Sequence, residues 1–485
     1  MKTQLRAHLF ILLAIHSALV GVAFAQTNDT YTNSSGSWGQ SFLDQWALHQ
    51  LDIIPSSQDN LFPVTVAVID TGLDYIHPDM AADNIWKNPR EQVNGRDDDG
   101  NGYIDDVIGW NFVDGDNNPW DRSGHGTHIA GVIAASTNNG KGIAGINPTA
   151  KIMTLKVANF AGNARSSSVA AAIYYAADMG ARIINLSLAG FGISKAERDA
   201  LRYAISRNVL IIAAAGNRAT NTQAFGYGSV PEVLTISATD QNNERTPFSN
   251  FGVDVQLMAP GTDILSLRAR DTDFIDLTQP KGYVAGAAIV GNDKAYYRAS
   301  GTSFATAVAS GVASRMLARK PELASSQLRT KLIQSATDLA APGVDQLTGY
   351  GLINPTAAES WPANRYVEAR IRDVAIAFSA TEKVVVSVRG DAFADKFKQT
   401  TLEIAAAQQP DKWLPLKTTV KGAVENDVIA QIELEDLIAL TPGNYDWIMR
   451  LVTSHQDGMQ RESRFAFTLP VPEAVAKAAQ KEQRR

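Results

Sequence analysis

Residues Pro63 to Gly72 read PVTVAVIDTG. Pro63 to Ile69 is apolar or β-branched throughout, so both faces of the strand it predicts must be buried. Asp70, Thr71 and Gly72 follow at once, which puts a carboxylate at the strand's carboxyl end. The same alternation repeats downstream. Ser166 to Met179 predicts a helix, Arg182 to Leu188 a strand and Ser194 to Arg207 a helix. Val209 to Ala214 and Val233 to Ala238 predict strands, and Thr302 to Arg319 a helix rich in Ala, Gly and Val. Doubly apolar strands alternating with helices predict an α/β fold, a three-layer arrangement with a parallel sheet between helices. Ligand sites in such sheets lie at the carboxyl ends of the strands.

The pattern changes after Trp361. Lys383 to Val388 and Arg464 to Leu469 read as short strands separated by turn residues such as Pro442-Gly443, with no helix between them. This predicts a small antiparallel all-β sandwich of the Ig/fibronectin kind. Trp413, Tyr445 and Trp447 are read as anchors of its core. At the other end, Lys2 and Arg6 precede an apolar run from Leu9 to Phe24, and Ala23-Phe24-Ala25 is an A-x-A cleavage site. The expected division is therefore a signal peptide over 1–25, an α/β domain over 26–361, the sandwich over 362–470 and a tail over 471–485. The signal implies a secreted protein, extracellular or periplasmic, with no membrane span once it is removed. The net charge of −6 gives no basic surplus for nucleic-acid binding. The chain has no cysteine, so rigidity outside the cell must come from packing or bound ions.

Three motifs fall where strands end or helices begin. Asp70 closes the first strand. His125 opens a helix in GHGTHIAG, residues 124–131, whose glycines permit close approach of another segment. Ser303 lies at a helix N-terminus in GTSFATA, residues 301–307, where backbone N–H groups favour developing negative charge. Each alone has a plainer reading: a turn Asp, a packed His, an N-cap Ser. Together they supply a hydroxyl nucleophile, an imidazole to take and return its proton, and a carboxylate to fix the tautomer. Asn217, in AAAGN after a strand, can donate its amide to an oxyanion, with the Ser303 N–H as a second donor. His128 lacks the H-E-x-x-H zinc spacing and reads as a packed helix residue.

The motifs IDTG, HGTHIAG, AAAGN and GTSFATA, in that order, resemble the subtilisin-like serine proteases (subtilases, peptidase family S8). The resemblance spans about residues 40 to 356. It implies a subtilisin-like catalytic domain that hydrolyses protein or peptide substrates, acting as a monomer. Asp70 would orient, His125 act as base and then acid, Ser303 attack, and Asn217 hold the oxyanion. Substrate would add as a strand beside Ser187, Leu188, Ala189 and Gly190. The same segment, with Ala214, Ala215 and Gly216, would line the first specificity pocket, with Gly226 at its floor. Small linings imply a large apolar side chain before the cut. The chain departs from the family at Ala307, where proline is usual, and this implies a shifted Ser303 and an altered acyl-acceptor preference. Phe304 replaces a common methionine, leaving no thioether beside the nucleophile to oxidise. The A-x-A site lies too close to Asp70 for a folding propeptide of the family's usual size.

Structural calcium is expected as the cofactor. Asp97, Asp99, Asn101 and the Tyr103 carbonyl alternate around a glycine turn as in the start of an EF-hand loop, but Ile108 stands where the closing Glu belongs. By resemblance, Asp114, Asp116 and Asn118 match a second site of the family. A third would use the Asp79 side chain, Asn139, and the carbonyls of Thr137, Lys141 and Ile143, with no N-terminal ligand identifiable. Rival readings are a peptide ligase or transferase on the same acyl-enzyme, and a catalytically silent surface-binding protein. A lipase or esterase would need G-x-S-x-G and the order Ser, Asp, His, and the order here is Asp, His, Ser.

Overall fold

The computed structural model describes residues 27–55, 61–272, 288–416, 418, 420, 423–440 and 444–469. The signal segment, the Pro442-Gly443 turn and the tail lie outside them. The first seven strands are β1 Val64–Asp70, β2 Gly109–Asn111, β3 Ala150–Lys156, β4 Ile183–Leu186, β5 Leu210–Ala214, β6 Leu234–Thr239 and β7 Leu257–Pro260. They form one sheet in the order β2-β3-β1-β4-β5-β6-β7, and every neighbouring pair is parallel.

Alternation along each strand feeds two cores. Val64, Val66 and Val68 point to one face, and Ala67 and Ile69 to the other. Among the helices, α1 is Trp46–Gln50, α2 His125–Ala134, α3 Ser166–Asp178, α4 Lys195–Ser206 and α5 Thr302–Arg319. Residues of α2 and α5 fill the first core, those of α3 and α4 the second, so the sheet is the middle of three layers. Helix α5 is buried along almost its whole length, its small apolar residues interrupted by hydrogen-bonded polar ones such as Ser310 and Thr306. Helix α4 starts at a capping box, Ser194 with Glu197. Two short helices, α6 Ser325–Gln334 and α7 Pro355–Ser360, follow. An antiparallel sheet of β8 Ile264–Leu267, β9 Ile289–Val290 and β10 Tyr296–Ala299 covers α2.

The chain leaves β1 toward β3 and β2, and leaves β4 toward β5. Between β1 and β4 the connections therefore diverge, which opens a crevice at the carboxyl ends of those strands.

The C-terminal part packs two antiparallel sheets face to face. One is β11 Val367–Phe378, β12 Val384–Ala394 and β15 Val424–Glu433. The other is β14 Leu414–Pro415, β13 Phe397–Ala406, β16 Asp446–His455 and β17 Gln460–Thr468. Trp447, 1% exposed, sits in their shared core, and Tyr445 packs against its edge. Two expectations need correction. A helix, α8 Leu434–Leu440, does interrupt the strands; Leu434, Leu437 and Leu440 fall on one helical face, and Leu437 is fully buried. Trp413 is no buried anchor. It is only partly buried, with the guanidinium groups of Arg450 at 4.4 Å and Arg464 at 5.3 Å from its ring.

This module is joined to the rest by backbone pairing. Val344 N donates to Glu462 O at 2.8 Å, and Arg464 N to Val344 O at 2.9 Å. Buried Arg370 donates to the carbonyls of Val253 and Val255.

Candidate active site

The crevice gathers the residues singled out from the sequence. Asp70 ends β1 and is wholly buried. His125 is the first residue of α2, whose N-cap Gly124 has φ 103°. Its Nδ1 lies 2.8 Å from Asp70 Oδ1, which also accepts the Thr71 N–H at 2.7 Å. The glycines make this approach possible. A Cβ on Gly126 would lie 2.3 Å from Gly72 O, and one on Gly72 would lie 2.5 Å from Pro119 O. The start of α2 is fixed by buried Asp121, whose carboxylate accepts from the backbone N–H groups of Ser123, Gly124 and Thr127 and from Thr127 Oγ1.

Ser303 is the second residue of α5, after Gly301 as N-cap. Its Oγ donates to Ser187 O at 3.1 Å, and Ser187 Oγ donates back to Ser303 O at 2.9 Å. The nucleophile helix is thus latched to the segment expected to receive substrate. Phe304 packs between His125 and His128, with ring centroids 5.5 and 4.5 Å away. His128 is fully buried beside the Ile264 and Tyr297 carbonyls, and burial pushes its pKa down to about 3. It is a neutral packing residue. Ala307 is also buried, inside an unbroken α5.

Asn217 follows β5. Its Oδ1 accepts from Thr302 N at 2.8 Å and Thr302 Oγ1 at 2.7 Å. With its carbonyl anchored, the amide N–H₂ is the end left to a ligand. Of the other lining residues, Gly216 N donates to Thr302 Oγ1 at 3.1 Å, and Gly226 N donates to Gly190 O at 2.7 Å. Leu188 packs on the second core, and Ala189 and Gly190 are exposed. Ala214 and Ala215 are buried at the end of β5.

Three neighbours had no signature in the sequence. The Phe225 ring lies against Gly216, where a Cβ would come within 2.5 Å of it. Exposed Phe191 packs edge-on against Phe225, with centroids 5.0 Å apart. The Arg218 guanidinium covers both rings, at 5.3 and 5.7 Å.

The acidic loops are also resolved into partners. Asp97 accepts three backbone N–H groups, from Gly100, Asn101 and Gly102, and Asp99 pairs with Arg90 at 3.1 Å. Asn101 receives the Tyr103 N–H at 2.7 Å. Glu91, from before the loop, brings a carboxylate oxygen within 4.8 Å of those of Asp97 and Asp99. Asp114 and Asp116 both accept from the Asn111 amide at 2.9 Å, while Asn118 accepts from Tyr75 OH at 3.1 Å. In the third loop, Asp79 accepts from the Asn139 amide at 2.7 Å and from Ile143 N at 3.0 Å. Lys141 N donates to Asn139 Oδ1, and Thr137 Oγ1 to Ala135 O. Asp29 completes this loop from the N-terminal arm, accepting the Asn138 and Asn139 N–H groups at 2.8 and 3.0 Å.

The family profile described as the subtilase family matches residues 63–351. The thermophilic serine proteinase of Bacillus sp. strain AK1 is 34% identical over 289 residues, which is 60% of this chain and 60% of that protein. The chain thus spans three-fifths of that relative's length. Thermitase of Thermoactinomyces vulgaris is 34% identical over 278 residues, 57% of this chain and 82% of that protein. Among solved structures, one of proteases from Pseudoalteromonas arctica PAMC 21717 matches with TM-score 0.51 at 26% identity, covering 69% of this chain and 99% of that one.

Proposed function

The chain belongs to the subtilase family, and on that premise we propose that it is an exported serine endopeptidase acting through an acyl-enzyme on Ser303. The observation that carries the reading is the 2.8 Å contact of His125 Nδ1 with buried Asp70, beside a serine at a buried helix N-terminus. Export rests on the Lys2–Ala25 segment of the sequence; no helix of the described residues is long and apolar enough to cross a membrane.

In this mechanism a peptide lies along Ser187 to Gly190. Ser303 Oγ attacks the scissile carbonyl while His125 Nε2 takes the hydroxyl proton and Asp70 holds Nδ1–H. The oxyanion is met by the Asn217 amide and the Ser303 backbone N–H. Collapse of the tetrahedral adduct breaks the C–N bond, and the imidazolium gives its proton to the departing amine. Water then repeats the sequence and frees Ser303. A fluorophosphonate probe tests this: wild type should be labelled and Ser303→Ala should not. Labelling that survives the substitution overturns the assignment.

The segments Ser187–Gly190 and Ala214–Gly216, with the Phe225 ring against Gly216, support a preference for Leu, Phe, Tyr or Met before the cut. A peptide panel should rank these at least tenfold above charged residues in kcat/KM, as burial of one large apolar side chain suggests. A requirement for Arg or Asp would sink the preference.

We also infer a structural calcium in the third loop. The donors there are all oxygen, which suits a hard cation. Asp79 is buried among neutral partners, with Asp29 the charge that acts on it, and burial raises its pKa to about 6. A buried carboxylate pair without a cation is costly, and calcium would remove that cost. Asp79, Asn139, Asp29 and the carbonyls of Thr137, Lys141 and Ile143 would hold it. Exchange of calcium for EGTA should lower the melting temperature by roughly 5 °C or more, about the size of an occupied-site stabilisation. Equal melting temperatures refute the site.

A further inference from the structure

Lys156 ends β3 at the position paired in register with Asp70 of β1. It is 4% exposed. Its Nζ donates to Thr71 O at 2.5 Å and to Ala158 O at 3.2 Å, both neutral acceptors. Among the described residues it forms no ion pair with a carboxylate. A buried ammonium held only by carbonyls costs stability, so its surroundings must explain it.

Those surroundings are acidic. Asp70 and Asp121 are both fully buried; burial lowers the pKa of Lys156, and the charges that act against that are Asp121, Asp114 and Asp70, with Arg122 opposed. Asp121 uses both oxygens on the N-terminus of α2. Asp70 uses one oxygen on Thr71 N and His125, and its Oδ2 is buried without a hydrogen bond. The carboxylate therefore has one oxygen bonded to two donors and one that no donor meets, beside an imidazole. A buried carboxylate so placed favours imidazolium, and an imidazolium cannot accept the Ser303 proton.

We propose that Lys156 is a positioning residue of the Asp70–His125 pair: its fixed charge offsets Asp70, keeps His125 neutral at working pH, and anchors the Thr71 carbonyl behind both. The proposal rests on the endopeptidase reading. Asp70 from β1 faces His125 directly, at 2.8 Å, and the charges acting on Lys156 of β3 are Asp121 from the loop before α2, Asp114 and the same Asp70, with Arg122 opposed. His128 on the same helix is neutral, and α5 and the segment after β4 contribute the uncharged Ser303, Phe304 and Ser187. Removing the one buried cation from this set must make imidazolium easier to form.

The test is the pH profile of kcat/KM on one peptide for wild type, Lys156→Met and Lys156→Arg. In Lys156→Met the acid limb should move to higher pH by about half to one unit, the size expected for loss of one partly screened buried charge. Its plateau at high pH should fall as well, since the anchor on the Thr71 carbonyl is lost with the charge, so the position of the limb is the readout that separates charge from anchoring. Lys156→Arg keeps the charge and should keep the limb. A merely structural lysine predicts lowered plateau and melting temperature with the limb unmoved, and that result overturns the proposal, as does an arginine variant that shifts like methionine. If Lys156→Met does not fold, Lys156→Gln against Lys156→Arg gives the same neutral-against-charged comparison. A wild type that no fluorophosphonate labels sinks the endopeptidase reading; a labelled wild type whose limb ignores Lys156 sinks only this inference.

Discussion

Ser303→Ala should lower kcat by about five to six orders of magnitude, the size of a nucleophile loss in a triad of this kind, while the fold and KM are kept. The structure says why the effect should be so clean. Ser303 Oγ makes one neutral hydrogen bond, to Ser187 O at 3.1 Å. Its loss costs about 1 kcal/mol. The return bond, from Ser187 Oγ to Ser303 O, uses backbone and survives. The helix cap is Gly301, so no capping side chain is removed. Asn217 keeps both of its bonds to Thr302, so the oxyanion donors stay in place and supply the residual rate. Peptide binding along Ser187 to Gly190 is untouched, and KM should stay within about threefold. Activity within a hundredfold of wild type would mean that another group attacks the carbonyl.

Four of the seven strands of the large sheet, β1, β4, β5 and β6, were legible because they are buried on both faces almost throughout, whereas β2, β3 and β7 were not read from the sequence. Continuous apolar runs such as Val209 to Ala214 have no other economical reading, and the helix Thr302–Arg319 was legible to the residue. Asp70, His125 and Ser303 were legible because each sits at a chain feature, the end of a strand or the start of a helix. What escaped was contributed from far along the chain. Asp29 reaches Asn138 and Asn139 from the N-terminal arm. Glu91 enters its acidic loop from the wrong end for an EF-hand pattern. Lys156 closes an ordinary-looking strand, and only the register with Asp70 reveals its place. Helix α8 was missed because Leu434 to Leu440 is barely two turns, too short for periodicity to separate it from a strand. Phe225 lies against Gly216 through tertiary packing alone.

Asp70→Asn should cost about four orders of magnitude in kcat at neutral pH, the scale seen when a triad carboxylate becomes an amide. Two orientations are open to the new side chain, and both fail. If its carbonyl keeps the place of Oδ1, it still accepts from Thr71 N and His125 Nδ1. The N–H₂ then occupies the Oδ2 position, which is buried and makes no hydrogen bond in the native protein. That leaves donors unsatisfied at a cost of about 1–3 kcal/mol, and the charge that stabilises the imidazolium is gone. If the amide turns over, N–H₂ meets the Thr71 N–H, and two donors face each other. His125 must then accept at Nδ1 and carry its proton on Nε2, the atom that should receive the Ser303 proton. Fluorophosphonate labelling at neutral pH should slow by a similar factor, because it needs the same proton transfer. KM should change little, since Asp70 is behind His125 and wholly buried. The structural cost should be small beside the kinetic one, because the glycine contact of Gly72 with Gly126 still sets where α2 begins. Steady-state kinetics with a melting curve on the same preparation decide it. A loss below tenfold, with the protein folded, would show that Asp70 does not orient the base.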